Sequence, residues 1–188
     1  SNLLLLSFDD QYFISIDNKL LMSDDLVEWK VVLTLRDGNI IWHMCKLNDH
    51  LYAQEYGESP THIFWSSGKS WNKLLRNDHI DPRSRHFHYI ESDWYRELIW
   101  ITLGDNNIVR FIGLNPSMEK LKIPFIYRGP WQFVPIYICE DHILLGFDSR
   151  ISPGGFAFYY PYEKHLKILF LKYQKIQYAQ CTCIGKVR

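Results

Sequence analysis

Apolar and polar residues alternate over short stretches along most of this chain, and polar turns interrupt the alternation at short intervals. Such alternation predicts half-buried β-strands, whereas apolar residues three and four positions apart would predict helices. The best helical candidate, residues 115–122, is short and has a proline at its second position, so we predict a hairpin turn there. The pattern therefore predicts an all-β protein.

The turns recur with a regular form, in which an apolar strand, an acidic turn and an aromatic or aliphatic strand follow one another. The turn aspartates are Asp10, Asp49, Asp93 and Asp141, spaced by 39, 44 and 48 residues. A period of this length, with about four short strands in each repeat, is typical of a propeller blade. We predict a single domain, a β-propeller-like array of four-stranded antiparallel blades. Its units are about 1–37, 38–82, 83–128 and 129–172, and residues 173–188 begin an extra strand.

An antiparallel sandwich of irregular hairpins is the alternative fold, although regular spacing of a whole four-strand unit has no cause in a sandwich. Four units are few for a closed ring, because propellers commonly have more blades. We therefore expect either continuation in a larger propeller chain or a small or open array that self-associates.

Two hairpin turns end in a tryptophan and resemble one another: Ser23-Asp-Asp-Leu-Val-Glu-Trp29 and Ser66-Ser-Gly-Lys-Ser-Trp71. Both resemble the Asp-box, or BNR repeat, of sialidase-like propellers, whose pattern is roughly Ser-x-Asp-x-Gly-x-Thr-Trp. The first turn lacks the glycine and threonine, and the second lacks the aspartate. The resemblance implies a structural role for Asp25, which would tie its turn by hydrogen bonds, and for Trp29 and Trp71, which would pack between blades.

A wider likeness to uncharacterised sialidase-like propellers covers residues 85–148. It rests on a histidine strand, a Gly-Asp loop and a second aspartate loop in that order, at 85–88, 104–105 and 146–148. The likeness supports a prediction of fold more than a prediction of activity. The arginine triad and the Tyr/Glu nucleophile pair of a true sialidase have no clear counterparts here.

The overall charge and the lengths of the apolar stretches argue against nucleic acid and membrane partners. The formal net charge is zero and the pI is about 7.1, so we expect no nucleic acid partner. No apolar stretch approaches the ~20 residues that span a bilayer, so we expect no membrane span. The alternating Cys181 and Cys183 could be a metal pair, but free cysteines are usually buried core residues. We predict no cofactor and no metal, and the sequence does not indicate a compartment.

If the blade order is right, the acidic turns lie on one rim of the array, and the loops between second and third strands lie on the other with the blade-to-blade connections. We call this second face the loop rim; its segments are residues 36–38, 55–61, 83–88, 104–107, 128–132 and 146–155. Loops on a rigid scaffold are the usual location of binding groups.

A glycan on the loop rim would use flat aromatic surfaces, hydroxyl partners and a cation. Trp42 and Trp131 would stack on sugar rings. Hydroxyl groups would bond to Asp105, Asp148 and Gln132. A carboxylate would be held by Arg85 or Arg150, because a guanidinium matches its geometry.

The chain also carries the groups of an enzyme. Asp105 and Asp148 could form the carboxylate pair of a glycoside hydrolase, with His86 as a further catalytic residue. On a strand, His86 and His88 point to one face, which suits a lyase base and its partner, a ligand-binding pair, or a metal with His43 as third ligand. The alternative is that they are polar residues that line a wet channel.

We therefore predict a non-catalytic propeller module that binds a glycan or a protein on the loop rim. The alternatives are a carbohydrate-active enzyme, hydrolase or lyase, and a purely structural segment of a larger assembly.

Overall fold

The computed structural model describes residues 4–68, 70–105, 109–116, 122–129, 131–148 and 155–170. Its first two sheets consist of β1 Leu4–Phe8, β2 Gln11–Ile16, β3 Lys19–Ser23, β4 Lys30–Thr34, β5 Ile40–Leu47, β6 His50–Tyr56, β7 His62–Ser66 and β8 Trp71–Arg76. Helix α1, Asn77–Ile80, follows. The last two sheets consist of β9 His86–Asp93, β10 Leu98–Gly104, β11 Val109–Asn115, β12 Lys122–Arg128, β13 Phe133–Ile138, β14 Ile143–Phe147, β15 Gly155–Tyr160 and β16 His165–Phe170.

The strands form four antiparallel sheets of four, each made of consecutive strands in chain order. Every connection within a sheet is therefore a hairpin, as alternation interrupted by short polar turns requires. The sheets begin at Leu4, Ile40, His86 and Phe133. The all-β prediction and the prediction of four-stranded antiparallel blades are confirmed. The extra strand at 173–188 and the pair Cys181 and Cys183 lie outside the described residues.

Neighbouring sheets pack face to face, and each of the three junctions has its own apolar core. The first and second sheets enclose a cluster that includes Phe13, Leu20 and Phe64. The second and third enclose Ile63, Phe87 and Ile99, among others. The third and fourth enclose Trp100, Phe111 and Phe133 with their neighbours. Burial of aromatic and aliphatic rows between successive sheets is the source of stability that a propeller-like array needs.

The first strand of the second, third and fourth sheets departs from regular pairing near its start. In β5 the register with β6 shifts between Ile41 and His43, and in β9 the register with β10 shifts opposite Thr102 and Leu103. A shift of one residue leaves Trp42 and His88 as the extra residues of two β-bulges, and β13 has an irregularity as well. Bulges change the direction of a side chain, and in β5 and β9 the extra residue is the third of the strand.

One face of the first sheet is apolar and exposed. Leu5, Ile14, Leu21 and Val31 lie opposite one another on its four strands and so share that face. Leu5 is 57% and Val31 is 53% exposed. Among the described residues, no packing comparable to the three junctions joins the fourth sheet to the first.

The turns opposite the loop rim are held by aspartate side chains. Asp25 Oδ1 accepts hydrogen bonds from the backbone amides of Val27 and Glu28, both at 2.9 Å, and these bonds lower the pKa of Asp25. This is the structural role that the Asp-box resemblance implies for Asp25. Trp71 packs against the core between the first two sheets, with its ring edge-on to Phe13. Membership of the Asp-box family stays a prediction.

The aspartate of the third sheet's acidic turn, Asp93, is fully buried. Asp93 accepts hydrogen bonds from the backbone amides of Tyr95 and Arg96, from the Arg96 guanidinium at 2.8 Å and from the Trp100 indole at 2.7 Å. The Arg96 guanidinium also donates hydrogen bonds to the backbone carbonyls of Cys139 and Glu140, just after the first strand of the fourth sheet. The Arg96 guanidinium therefore joins the turn of the third sheet to the fourth sheet through hydrogen bonds.

Candidate functional site

The two histidines at the start of β9 lie on the loop rim and are buried. Only 3% of His86 and 6% of His88 is exposed. The His88 ring stacks beside that of His86, with ring centroids 5.1 Å apart and planes inclined by 28°. The spacing of two residues on one strand predicted that these side chains share a face, and they do lie together.

Gly104, at the end of β10, gives the His88 ring its space. A Cβ atom added at Gly104 would lie 1.6 Å from His88 Nε2 and 2.0 Å from Cδ2. No heavy-atom side chain fits there while the imidazole stays in place. The glycine of the Gly-Asp loop is therefore required by close packing against a histidine.

A carboxylate completes a compact group of three side chains. His86 Nε2 lies 3.2 Å from His88 Nε2 and 3.6 Å from Asp105 Oδ2. One ligand atom from each of His86, His88 and Asp105 lies within 4.8 Å of the others. Asp105 is 43% exposed, so the group opens to solvent on its side. These three residues are the ones in the described part of the chain that could hold a metal ion together.

Both imidazoles are neutral at neutral pH. Burial lowers the pKa of His88 to about 4, and the adjacent His86 contributes to the lowering. Burial also lowers the pKa of His86, against the opposing effect of its hydrogen bond to the Gly57 carbonyl. A neutral imidazole keeps one nitrogen lone pair available as a base or a ligand.

Asp148 and Gln132 extend the group toward the fourth sheet. Asp148 Oδ2 lies 3.4 Å from His88 Nδ1. Oriented so that both ends of its amide are satisfied, Gln132 donates to the Asp148 carbonyl at 3.0 Å and accepts from the Asp105 backbone amide at 2.8 Å. We call His86, His88, Asp105, Asp148 and Gln132 the rim cluster.

The second sheet supplies the other wall of the site. The Tyr56 ring packs on His86, with centroids 4.2 Å apart. Burial raises the pKa of Tyr56, and the negative charges of Asp105 and Asp148 raise it further. His86 Nδ1 lies 3.1 Å from the backbone carbonyl of Gly57. Because a carbonyl only accepts, this contact places the proton of neutral His86 on Nδ1 and leaves Nε2 as a lone pair.

The remaining candidate residues lie around this group. Arg85 is exposed, and its guanidinium pairs with Glu58 at 2.8 Å, so its strongest contact is with another residue of the rim. Trp42 and Trp131 are partly exposed, and they pack on Tyr56 and Phe147 respectively. Arg150 lies outside the described residues.

His43, the imagined third metal ligand, lies elsewhere. Its ring stacks on Tyr89 with centroids 4.1 Å apart, and its Nε2 lies 3.9 Å from Glu91 Oε2. Asp105 occupies the third place beside the histidine pair.

Sequence reasoning missed Tyr56 and Arg110 as members of the site. Arg110 NH1 donates to the Gln132 side-chain oxygen at 3.1 Å, and its Nε donates to the Gly129 carbonyl at 2.8 Å. A signal for Arg110 was present, because it is the one charged residue in the otherwise apolar start of β11. Tyr56 lay only within the predicted loop-rim segment 55–61, because its contact with His86 depends on the packing of the second sheet against the third.

A cavity of about 460 Å³ lies elsewhere, between the first two sheets near the Trp71 turn. The described residues that line it include Phe13, Met22, Leu51 and Ser66, and none of them is ionisable. It offers space without titratable chemistry, so the rim cluster remains the candidate site.

Four-stranded antiparallel sheets that stack face to face in chain order define a β-propeller-like fold. No family model matches this chain, and no curated protein matches it. No helix in the described part of the chain has the length and apolar character needed to cross a membrane.

Solved structures with a similar fold share little sequence. A crystal structure of a nidogen/laminin complex matches with a TM-score of 0.60 and 13% identity, covering 84% of this chain and 60% of that one. The N-terminal domain of Nup159 matches with a TM-score of 0.58 and 13% identity, covering 89% and 47%. A prolyl endopeptidase structure gives 0.52 and 9%, covering 85% and 24%. This chain thus spans less than two thirds of each, and the likeness is one of fold alone.

Proposed function

We propose that this chain is a β-propeller module that binds a glycan on the loop rim, with the rim cluster as the polar part of the site. The observation that carries the proposal is the convergence of hydrogen-bonding groups from the third and fourth sheets beside the aromatic Tyr56 of the second. Sugars are recognised by this combination, in which polar groups fix orientation beside apolar and aromatic surface.

Binding without catalysis is favoured by the placement of the carboxylates. A glycoside hydrolase needs two carboxyl groups that flank the scissile bond. Here Asp105 lies against His86, and Asp148 lies against His88. Each carboxylate thus has a histidine neighbour inside the protein, which supports a role in holding the site and bonding hydroxyl groups.

Glycan arrays with the purified chain test this proposal. We expect retention of a restricted set of glycans, with at least tenfold weaker binding by Asp105→Asn and Trp42→Ala. Trp94→Ala is the matched control, because Trp94 is 57% exposed on the turn between β9 and β10, at the opposite rim. Binding that follows Trp94 and ignores Asp105 would place the glycan elsewhere and end the proposal.

A carbohydrate-active enzyme is the second candidate, and the state of His86 favours it. Its Nε2 lone pair is available beside the Tyr56 ring, and a neutral imidazole next to a phenol suits the proton transfers of a polysaccharide lyase. Release of unsaturated products from uronic acid polymers is followed by absorbance at about 235 nm. Activity that is lost in His86→Gln would support this candidate. Activity that persists in His86→Gln and Asp105→Asn would remove it.

A protein partner or self-association is the remaining candidate, and the exposed face of the first sheet supports it. Leu5, Ile14, Leu21 and Val31 form an apolar row of the kind that the other sheets bury between them. Light scattering over a range of concentrations tests self-association. We expect a mass above 22.5 kDa that returns to the monomer value in Val31→Lys. A monomer at every concentration would leave only other partners for this face.

A further inference from the structure

Two of the three distances among the ligand atoms of His86, His88 and Asp105 match those between the ligands of one tetrahedral ion, and the third, between His88 and Asp105, is within 4.8 Å. Zinc binds imidazole nitrogen and carboxylate oxygen at about 2.0–2.2 Å, which separates neighbouring ligand atoms by about 3.3–3.6 Å. The two Nε2 atoms are 3.2 Å apart, and His86 Nε2 is 3.6 Å from Asp105 Oδ2. Both separations are edges of such a tetrahedron.

The protons of the two rings leave a conflict that an ion would remove. The Gly57 carbonyl fixes the proton of His86 on Nδ1, so His86 Nε2 presents a lone pair to His88. If His88 carries its proton on Nδ1, toward Asp148, two Nε2 lone pairs meet at 3.2 Å. If it carries the proton on Nε2, its bare Nδ1 faces the Asp148 carboxylate.

His88 Nδ1 is an orphan in the present arrangement. It is buried and has no aligned hydrogen-bond partner among the described residues, although Asp148 Oδ2 is 3.4 Å away. A cation held between the two Nε2 atoms would let Nδ1 keep its proton and turn toward Asp148.

We propose that His86, His88 and Asp105 bind one divalent first-row transition metal ion, with Zn²⁺ the best fit. Two imidazoles and one carboxylate favour such an ion over Ca²⁺ and Mg²⁺, which take oxygen ligands.

The surroundings fit the proposal. The Gly57 carbonyl and the Asp148 carboxylate sit behind the Nδ1 atoms of the two rings, as the outer partners of metal-binding histidines usually do. The exposed side of Asp105 gives the ion an entry path and leaves a coordination position open to solvent. The inference stands on the side chains alone and does not depend on glycan binding.

Zinc titration of the full chain tests the site. The protein is stripped with EDTA, dialysed and titrated with Zn²⁺ in a calorimeter, and Co²⁺ is added separately to follow its visible absorption. We expect one ion per chain, with affinity at least 100-fold lower in His88→Gln and at least tenfold lower in Asp105→Asn. The Co²⁺ spectrum of a tetrahedral site should be lost in the same variants.

The opposite rim offers a matched control. His142 Nδ1 and Asp141 Oδ1 form an exposed pair 2.6 Å apart, so His142→Gln removes a histidine beside a carboxylate without touching the proposed site. Zinc affinity should be unchanged in that variant. Circular dichroism checks that each variant folds. If His88→Gln does not fold, the zinc affinity of Asp105→Asn decides the outcome.

The proposal is overturned by the absence of saturable binding of Zn²⁺ and Co²⁺ to the folded wild-type chain. It is equally overturned by binding that His142→Gln removes and Asp105→Asn leaves intact. Because no sugar is present, a negative result here says nothing against the glycan proposal, and a negative glycan array says nothing against the ion.

Discussion

The Asp93 carboxylate and the histidine pair are both buried, on opposite rims of the third sheet. They differ in how completely their hydrogen-bonding atoms have partners. At the turn between β9 and β10, both carboxylate oxygens of Asp93 accept hydrogen bonds, from two backbone amides, Arg96 and Trp100. At the loop rim, His86 and His88 face one another at 3.2 Å, and His88 Nδ1 has no aligned partner among the described residues.

This difference distinguishes a polar group with a structural role from a candidate ligand-binding site. Buried polar groups in stable folds are hydrogen-bonded, because an unmade bond in the interior costs free energy that water would otherwise supply. The Asp93 carboxylate follows that rule, although Arg96 Nε beside it has no hydrogen-bond partner among the described residues. The histidine pair departs from it at a position that opens to solvent through Asp105, which is where proteins place ligands.

The largest effect should come from Asp93→Ala. Loss of the carboxylate leaves the Arg96 charge, only 5% exposed, without its partner, and the Trp100 indole without an acceptor. We expect the free energy of unfolding to fall by about 3–5 kcal/mol, measured by urea denaturation. Asp141→Ala is the control, because its side chain is 78% exposed, and it should cost much less than Asp93→Ala. Equal costs would erase the contrast drawn above.

Acid should destabilise the metal-free protein through His88. Its folded pKa of about 4 lies below the ordinary value of 6.5, so the unfolded chain binds more protons between these values. Stability is therefore complete above pH 6.5 and falls as the pH drops toward 4, by at most about 3 kcal/mol. Urea denaturation at several pH values in EDTA measures this slope. The slope should be reduced in His88→Gln, and an unchanged slope would mean that His88 is not the group responsible.

Gly104→Ala should displace the His88 ring. The added methyl group would lie 1.6 Å from Nε2, so the imidazole must move, at a cost of about 1–3 kcal/mol in the free energy of unfolding. The double variant Gly104→Ala with His88→Ala provides the control, because the smaller side chain removes the collision. If the alanine costs as much in that background, the close contact with His88 is not its cause.

The smallest effect should come from Asp25→Ala. The substitution removes the acceptor of the Val27 and Glu28 backbone amides in an exposed turn, where water can replace it. We expect a small loss in the free energy of unfolding, measured by thermal or urea denaturation. Asp24→Ala, one residue earlier in the same turn, is the comparison and should cost less. A larger loss at Asp24 would contradict the Asp-box role of Asp25.

The fold could be predicted because each repeat is marked by features of nearby residues in the sequence. Alternation sets the strands, and the turn aspartates mark each hairpin, so the period is visible without knowledge of any contact between sheets. The histidine pair was also predictable, because two residues at i and i+2 on a strand share a face. Asp105 followed from its position directly after a strand.

The contacts that join the parts of the site were not predictable, because they depend on how one sheet packs on the next, although Asp148 itself was among the predicted site residues. Tyr56 and the Gly57 carbonyl reach His86 from the second sheet, and Asp148 reaches His88 from the fourth. The bulge at His88 and the space left by Gly104 are matters of register, which alternation alone does not fix.

The contacts of the histidine pair have a mechanical consequence. His86 is bonded to a carbonyl of the second sheet while His88 sits against a carboxylate of the fourth, and both belong to the third. The tilt of each sheet relative to the next is thus coupled to the orientation of two rings. Any occupant that immobilises those rings should damp the relative rotation of all three sheets at once, and hydrogen exchange in β6 and β14 would then slow together.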